Sequence, residues 1–176
     1  MFDVPVVGFA AYSGTGKTTL LVKLLAIFRE HDLRVGVVKH AHHTFEIDQP
    51  GKDSYELRKA GASQVLIGSN QRWALIVEAP APSGGPLEQH MRHMNCADLD
   101  LVLVEGFKPE HIPKIELHRP SLGHPLLCTG DPDVIAVATD QPLPDTLTLP
   151  MFDLNDAERI AQFIIERFVR RLAVNS

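Results

Sequence analysis

The stretch that decides the fold runs from Val4 to Phe28, VPVVGFAAYSGTGKTTLLVKLLAIF. Its first part, Val4 to Ala10, is a nearly continuous apolar run, which predicts a strand buried on both faces. From Thr18 onward the apolar positions change period. Leu20, Leu21, Leu24, Leu25 and Phe28 recur at helical spacing, and the polar Arg29-Glu30-His31-Asp32 closes the helix. A glycine-rich turn joins the two. A second short apolar segment, Leu33 to Lys39, follows at once. Strand, helix and strand in so few residues form a βαβ unit, and such crossovers are parallel and right-handed.

The turn itself, Ala11-Tyr12-Ser13-Gly14-Thr15-Gly16-Lys17-Thr18-Thr19, has the composition of a phosphate-binding loop in the required context, after a buried strand and opening a helix. Gly14 and Gly16 let backbone N–H groups turn toward phosphate oxygens with no Cβ in the way. The helix beginning near Lys17 adds its unpaired N–H groups and the positive end of its dipole. Lys17 brings a charge for the β and γ phosphates, and the Thr18 hydroxyl is placed to ligate Mg²⁺. Ser13, Thr15 and Thr19 complete the set of expected phosphate-loop residues. The general pattern asks for glycine where this chain has Ala11, a departure at the start of the loop rather than at its phosphate-facing glycines.

Outward from this unit, His40 to Gly51 reads as a loop and Asp53 to Ala60 as a short helix, with Asp53 or Ser54 at its N-cap and Gly61 as its stop. Gln64 to Gly68 and Trp73 to Glu78 are β-rich runs around Ser69-Asn70-Gln71-Arg72, a predicted hairpin. Ala79 to Pro86 is a loop, and Leu87 to Met94 is predicted helical. Leu101–Val104, Lys114–His118 and Val134–Ala138 are further strands. A final amphipathic helix carries Ala157, Ile160, Ala161, Ile164, Ile165, Phe168, Val169 and Leu172 on one stripe. The alternation predicts an α/β protein: one domain over 1–176, a P-loop NTPase three-layer fold with a mostly parallel central sheet, and a β-rich hairpin extension near 63–80.

Composition narrows the function. The 176 residues carry 17 Lys+Arg, 22 Asp+Glu and nine His, for a net charge of −5. An acidic chain lacks the broad basic face that nucleic acid requires. Two cysteines, Cys96 and Cys128, are too few for a disulfide framework. No apolar run approaches the roughly 20 residues of a membrane span, and no secretory signal is visible, so a cytoplasmic protein is expected. The charge is uneven. Residues 1–60 hold eight basic and seven acidic side chains, a balance of +1, whereas 61–176 hold nine and fifteen, a balance of −6. An anion site therefore belongs in the first third, where Lys17, Lys39 and Lys52 lie.

Three further places hold candidate site residues. Leu101-Val102-Leu103-Val104-Glu105-Gly106 is an apolar strand ending in an acid, so Glu105 is a candidate for the metal or the attacking water, by analogy with the Walker-B carboxylate. A strand-end carboxylate capping the next turn is the other reading. Lys39-His40-Ala41-His42-His43 follows the second strand at the carboxyl edge, where open α/β sheets bind ligands. Lys39 and His40 are expected to contact phosphate, although a zinc site or a solvated loop would also fit three imidazoles in such a run. Asp48 and Asp53 bracket Pro50-Gly51-Lys52 and are the acids available to a nucleotide-responsive segment, with Asp48 as a second catalytic candidate. Asp140, after the strand at 134–138, is either a base-reading carboxylate or part of a strand-end turn.

Taken together, the sequence strongly resembles the MobB family of molybdopterin guanine dinucleotide biosynthesis. The resemblance rests on AYSGTGKTTL at 11–20, VKHAHHTFEIDQPGKDSYELRKAGA at 38–62, QRWAL at 71–75, DLDLVLVEGFK at 98–108 and VIAVATD at 134–140. It implies a GTP-binding adapter with Mg²⁺, a weak GTPase at most, working as a homodimer beside a MobA-type guanylyltransferase. It also implies that Gly14 through Thr19 bind phosphates, that Glu105 lies in the metal and water region, and that the base preference is for guanine. The alternative is a P-loop kinase acting on a small metabolite. Such kinases close an arginine-bearing lid over the phosphates. Here the arginines cluster at Arg167, Arg170 and Arg171, with Arg58 and Arg72 isolated.

Overall fold

The computed structural model describes residues 2–41, 45–78, 86–144 and 146–170. Two compact units make up the chain, a larger one from residues 1–40 and 85–176 and a smaller one from 41–84.

The larger unit is a six-stranded sheet in the order β2-β5-β1-β6-β7-β8. Its strands are β1 (Val6–Ala11), β2 (Val35–Lys39), β5 (Leu101–Glu105), β6 (Lys114–His118), β7 (Val134–Thr139) and β8 (Met151–Asp153), and every pairing between neighbours is parallel. The first strand lies between β5 and β6, and all six of its residues are buried. Its alternation supplies two cores. Val7, Phe9 and Ala11 pack with Leu20, Leu24 and Phe28 of α1 (Lys17–Glu30) and with Ile160 and Ile164 of α4 (Ala157–Ile164). Val6 faces the other way, with Val102, Val104, Phe107 and the buried Leu87 and Met91 of α3 (Leu87–Met91). Helices on both faces of a parallel sheet give the predicted three layers.

The strand starts at Val6 rather than Val4 because Pro5 has no N–H to give to a ladder, although its carbonyl accepts from Val102 N at 2.8 Å. The β8 strand has no counterpart in the predicted elements, being three residues long and half exposed. At the other end, α4 is capped by Asp156, whose Oδ1 accepts from Arg159 N at 3.1 Å, and it widens into π-helical turns over Ile165–Val169. Leu172, expected on its stripe, lies outside the described residues. The helix at 87 is shorter than expected, ending at Met91.

The smaller unit contains α2 (Asp53–Lys59) and the antiparallel pair β3 (Gln64–Gly68) and β4 (Trp73–Val77). The hairpin register, Gly68 opposite Trp73 through Gln64 opposite Val77, matches the sequence pattern. The N-cap of α2 is different from the expectation. Lys52 occupies it in extended conformation with no side-chain cap, and the Ser54 hydroxyl instead donates to Asp48 Oδ1 at 3.1 Å. That bond draws Ser54 away from capping, a competition that short polar side chains are prone to.

Candidate functional site

The loop between β1 and α1 is where the larger unit gathers its charged groups. Gly16 is the N-cap of α1, with φ 96° and ψ 19°, a left-handed conformation that costs a non-glycine residue strain. Thr15 is buried, and its hydroxyl donates to the Tyr12 carbonyl across the turn. Ser13, Gly14, Thr18 and Thr19 are exposed on the open side.

Glu105 ends β5 in register with Phe9 of β1 and Lys39 of β2. Its carboxylate is largely buried and meets two ammonium groups, Lys17 Nζ at 3.8 Å from Oε1 and Lys39 Nζ at 3.4 Å from Oε2. These three side chains come from the first residue of α1 and the ends of two strands, and parallel pairing brings them to one edge. The next residue, Gly106, has φ 89°, and a Cβ there would lie 2.8 Å from His40 Cβ. Only glycine allows this approach, which lets His40 N donate to the Glu105 carbonyl at 2.8 Å. The His40 ring stacks edge-on against Phe107 with centroids 4.9 Å apart. Lys17, Lys39, His40 and Glu105 are therefore brought together at one edge of the sheet.

Asp140 sits just past β7. Its Oδ2 accepts from Arg119 Nη1, and its Oδ1 is buried with no hydrogen-bond partner among the described residues. Arg119 also donates from Nε to the Thr15 carbonyl at 2.9 Å. Sequence reasoning missed Arg119. It directly follows β6, so the rule that picked out His40, Glu105 and Asp140 at strand ends would have found it.

Asp48 belongs to the smaller unit. There it is buried, accepts from Ser54 and lies 3.6 Å from Arg58 Nε. Arg58 also donates to Glu78 at 2.7 Å and to Glu46. The Glu78 hydrogen bond above all, opposed by burial and reinforced by Glu46, raises the guanidinium above its ordinary pKa. Asp48 is thus held by a polar network of its own unit. Among the described residues no group of three or more His, Cys, Asp or Glu side chains could hold a metal. The zinc reading also involved His42 and His43, which lie outside the described residues.

A family model, "Molybdopterin guanine dinucleotide synthesis protein B" (MobB), matches residues 6–140. The chain belongs to the MobB family. Its relatives include the molybdopterin-guanine dinucleotide biosynthesis adapter protein of Escherichia coli, 49% identical over 164 residues, with 93% of each chain covered. The adapter protein of the same name in Haemophilus influenzae is 45% identical, covering 92% of this chain and 88% of that one. Among solved structures, a molybdopterin-guanine biosynthesis protein B shares a TM-score of 0.71 at 27% identity, over 92% of this chain and 98% of that one. A MobB homolog from Bacillus stearothermophilus gives 0.68 at 28%, over 94% and 98%. The family match spans β1, the phosphate loop, Glu105, Arg119 and Asp140. The solved structures share with this MobB chain the α/β, P-loop NTPase fold. No helix among the described residues is long and apolar enough to cross a membrane.

Proposed function

We propose that the protein binds GTP with Mg²⁺ at residues 13–19 and acts as an adapter in molybdopterin guanine dinucleotide synthesis, beside a MobA-type guanylyltransferase in the cytoplasm. The observation that carries this reading is the Glu105 carboxylate facing both Lys17 and Lys39 at the edge of the phosphate loop. Lys17 and Lys39 would hold a polyphosphate in the loop, and Glu105 would then be available to a cation. The Thr18 hydroxyl and Glu105 are hard oxygen donors. That is the kind of sparse protein contribution Mg²⁺ accepts, because it keeps water and phosphate oxygens for the rest of its shell. When bound, the ion neutralises phosphate charge. Lys39 and His40 would border the terminal phosphate, and Glu105 would orient water for slow hydrolysis. The buried Asp140 Oδ1, without a hydrogen-bond partner among the described residues, supports an acceptor for a guanine N–H.

The names of the relatives support the adapter role, and the exposed apolar residues Leu66, Ile67, Trp73 and Leu75 of the hairpin support a homodimer formed through it. The kinase alternative needs an arginine free to close on phosphate. Arg119, the arginine at the loop, is committed to Thr15 and Asp140.

Titration calorimetry with GTP and ATP, with and without Mg²⁺, tests the reading on the unaltered protein and on Lys17→Ala. GTP is expected to bind more tightly than ATP and to be lost with Lys17. Absence of nucleotide binding by the unaltered protein would overturn it. A pull-down with MobA, with and without GTP, tests the adapter role, and no capture in either condition would exclude it.

A further inference from the structure

The chain leaving β6 braces the phosphate loop at two points. At the first, Arg119 Nε donates to the Thr15 carbonyl at 2.9 Å while Nη1 holds Asp140. At the second, the His124 ring stacks on Tyr12, with centroids 4.2 Å apart and planes 13° from parallel. Between them a short 3-10 turn, Pro120–Leu122, reverses the chain, closed by Gly123 at φ 69°. Beyond them the segment is tied to the sheet by a fully buried carboxylate. Glu116 of β6 accepts from Leu127 N at 2.7 Å and Cys128 N at 2.8 Å.

A planar trans peptide directs its N–H opposite to its C=O. Holding the Thr15 carbonyl on Arg119 therefore sets the direction of the Gly16 N–H, one of the donors a phosphate meets. The Nη2 of Arg119 lies 3.6 Å from where a Cβ of Gly16 would stand, so the guanidinium lies against this same peptide. A guanidinium is a planar fork with fixed donor directions. One arginine can hold a carbonyl and a carboxylate together in a way that lysine cannot.

We infer that Arg119, oriented by Asp140, is a positioning residue that presets the Thr15–Gly16 peptide for phosphate before any nucleotide arrives. The inference rests on the nucleotide-binding reading above. Because Nε faces a backbone carbonyl, Arg119 acts on all phosphates through the loop and selects for none of them. A preset cradle raises affinity by reducing the ordering needed on binding.

The test uses the full chain with Arg119→Ala, Arg119→Lys and Asp140→Asn. GTP and GDP affinities are measured by titration calorimetry and amide exchange by NMR without nucleotide. In Arg119→Ala, both Kd values are expected to rise by the same factor, about tenfold to a hundredfold, with faster nucleotide release. Exchange of the amides at 14–18 should accelerate while those of β5 do not. Arg119→Lys should resemble Arg119→Ala, and added methylguanidinium should restore part of the affinity in Arg119→Ala alone. Asp140→Asn, which also removes the guanine acceptor proposed above, is read by amide exchange alone, with a smaller acceleration at 14–18 than in Arg119→Ala. A rise for GTP with GDP unchanged would overturn positioning in favour of a direct γ-phosphate contact. Unchanged affinities and exchange would remove Arg119 from the site. A purely architectural arginine would lower the Tm and leave Kd, measured well below it, as in the parent. If the unaltered protein bound no nucleotide, the function itself would fall; nucleotide binding indifferent to Arg119 would refute only this inference.

Discussion

The two units of this chain are held together by different forces. In the larger one, β1 is buried on both faces, sending Val7, Phe9 and Ala11 into one core and Val6 into the other. In the smaller one, α2 has no buried residue, and β3 and β4 expose Leu66, Trp73 and Val77. A two-stranded sheet is at best marginal by itself. Arg58 compensates by joining Glu46 and Asp48 of the loop before α2 to Glu78 just after β4. The difference teaches where chemistry can be precise: a phosphate loop needs a rigid base, whereas an exposed apolar hairpin suits a surface meant to be covered.

Mutations can break this contrast in order of expected effect. Leu24→Ala, at a fully buried position of α1, should cost about 2–5 kcal/mol in denaturant unfolding. A loss below 1 kcal/mol would mean that the larger unit is not held by this core. Asp156→Ala removes the cap of α4 and should cost about 1 kcal/mol by the same measurement. Arg58→Ala should accelerate amide exchange across β3 and β4 while leaving β1 protected. Equal acceleration in both sheets would erase the distinction between the units.

The smallest effect concerns pH. Burial foremost, and the Glu116 carboxylate next to it, push the Cys128 thiol up to about 11 from an ordinary 9.0. The folded state thus favours the neutral thiol. Its contribution is complete below pH 9 and is lost as pH rises through about 11. The Tm should therefore fall over that window more steeply in the parent than in Cys128→Ser. Parallel curves would show that the thiol does not carry the effect.

Much of the larger unit was legible because its signals are local. A run such as VVGFAA can hardly be anything but a doubly buried strand, and a Gly-rich turn before Lys17 has few other uses. The place of Glu105 at the end of β5 was legible too, since a strand-end acid before glycine is a sequence pattern. What stayed hidden depends on contacts across sequence. The pairing of Arg119 with Thr15 spans 104 residues, and neither residue type signals the other. The polar stripe of β6 was equally silent. Lys114, Glu116 and His118 are all buried, yet hydropathy would place them in water. They are tolerated because the loop beyond the strand supplies partners, Asp131 at 2.9 Å for Lys114 and two backbone amides for Glu116. The capping of α2 was misjudged for the same reason, because Ser54 found Asp48 first.

The central position of β1 also has a consequence during synthesis. Its register partners are Val102 through Glu105 on one side and Lys114 through Leu117 on the other. This fully buried strand therefore leaves the ribosome almost a hundred residues before either neighbour exists. At ordinary translation speeds of about 5–20 residues per second it waits several seconds or more with both edges unpaired. Until then Val6 to Ala11 carries two unpaired edges, the kind of template on which another strand can pair.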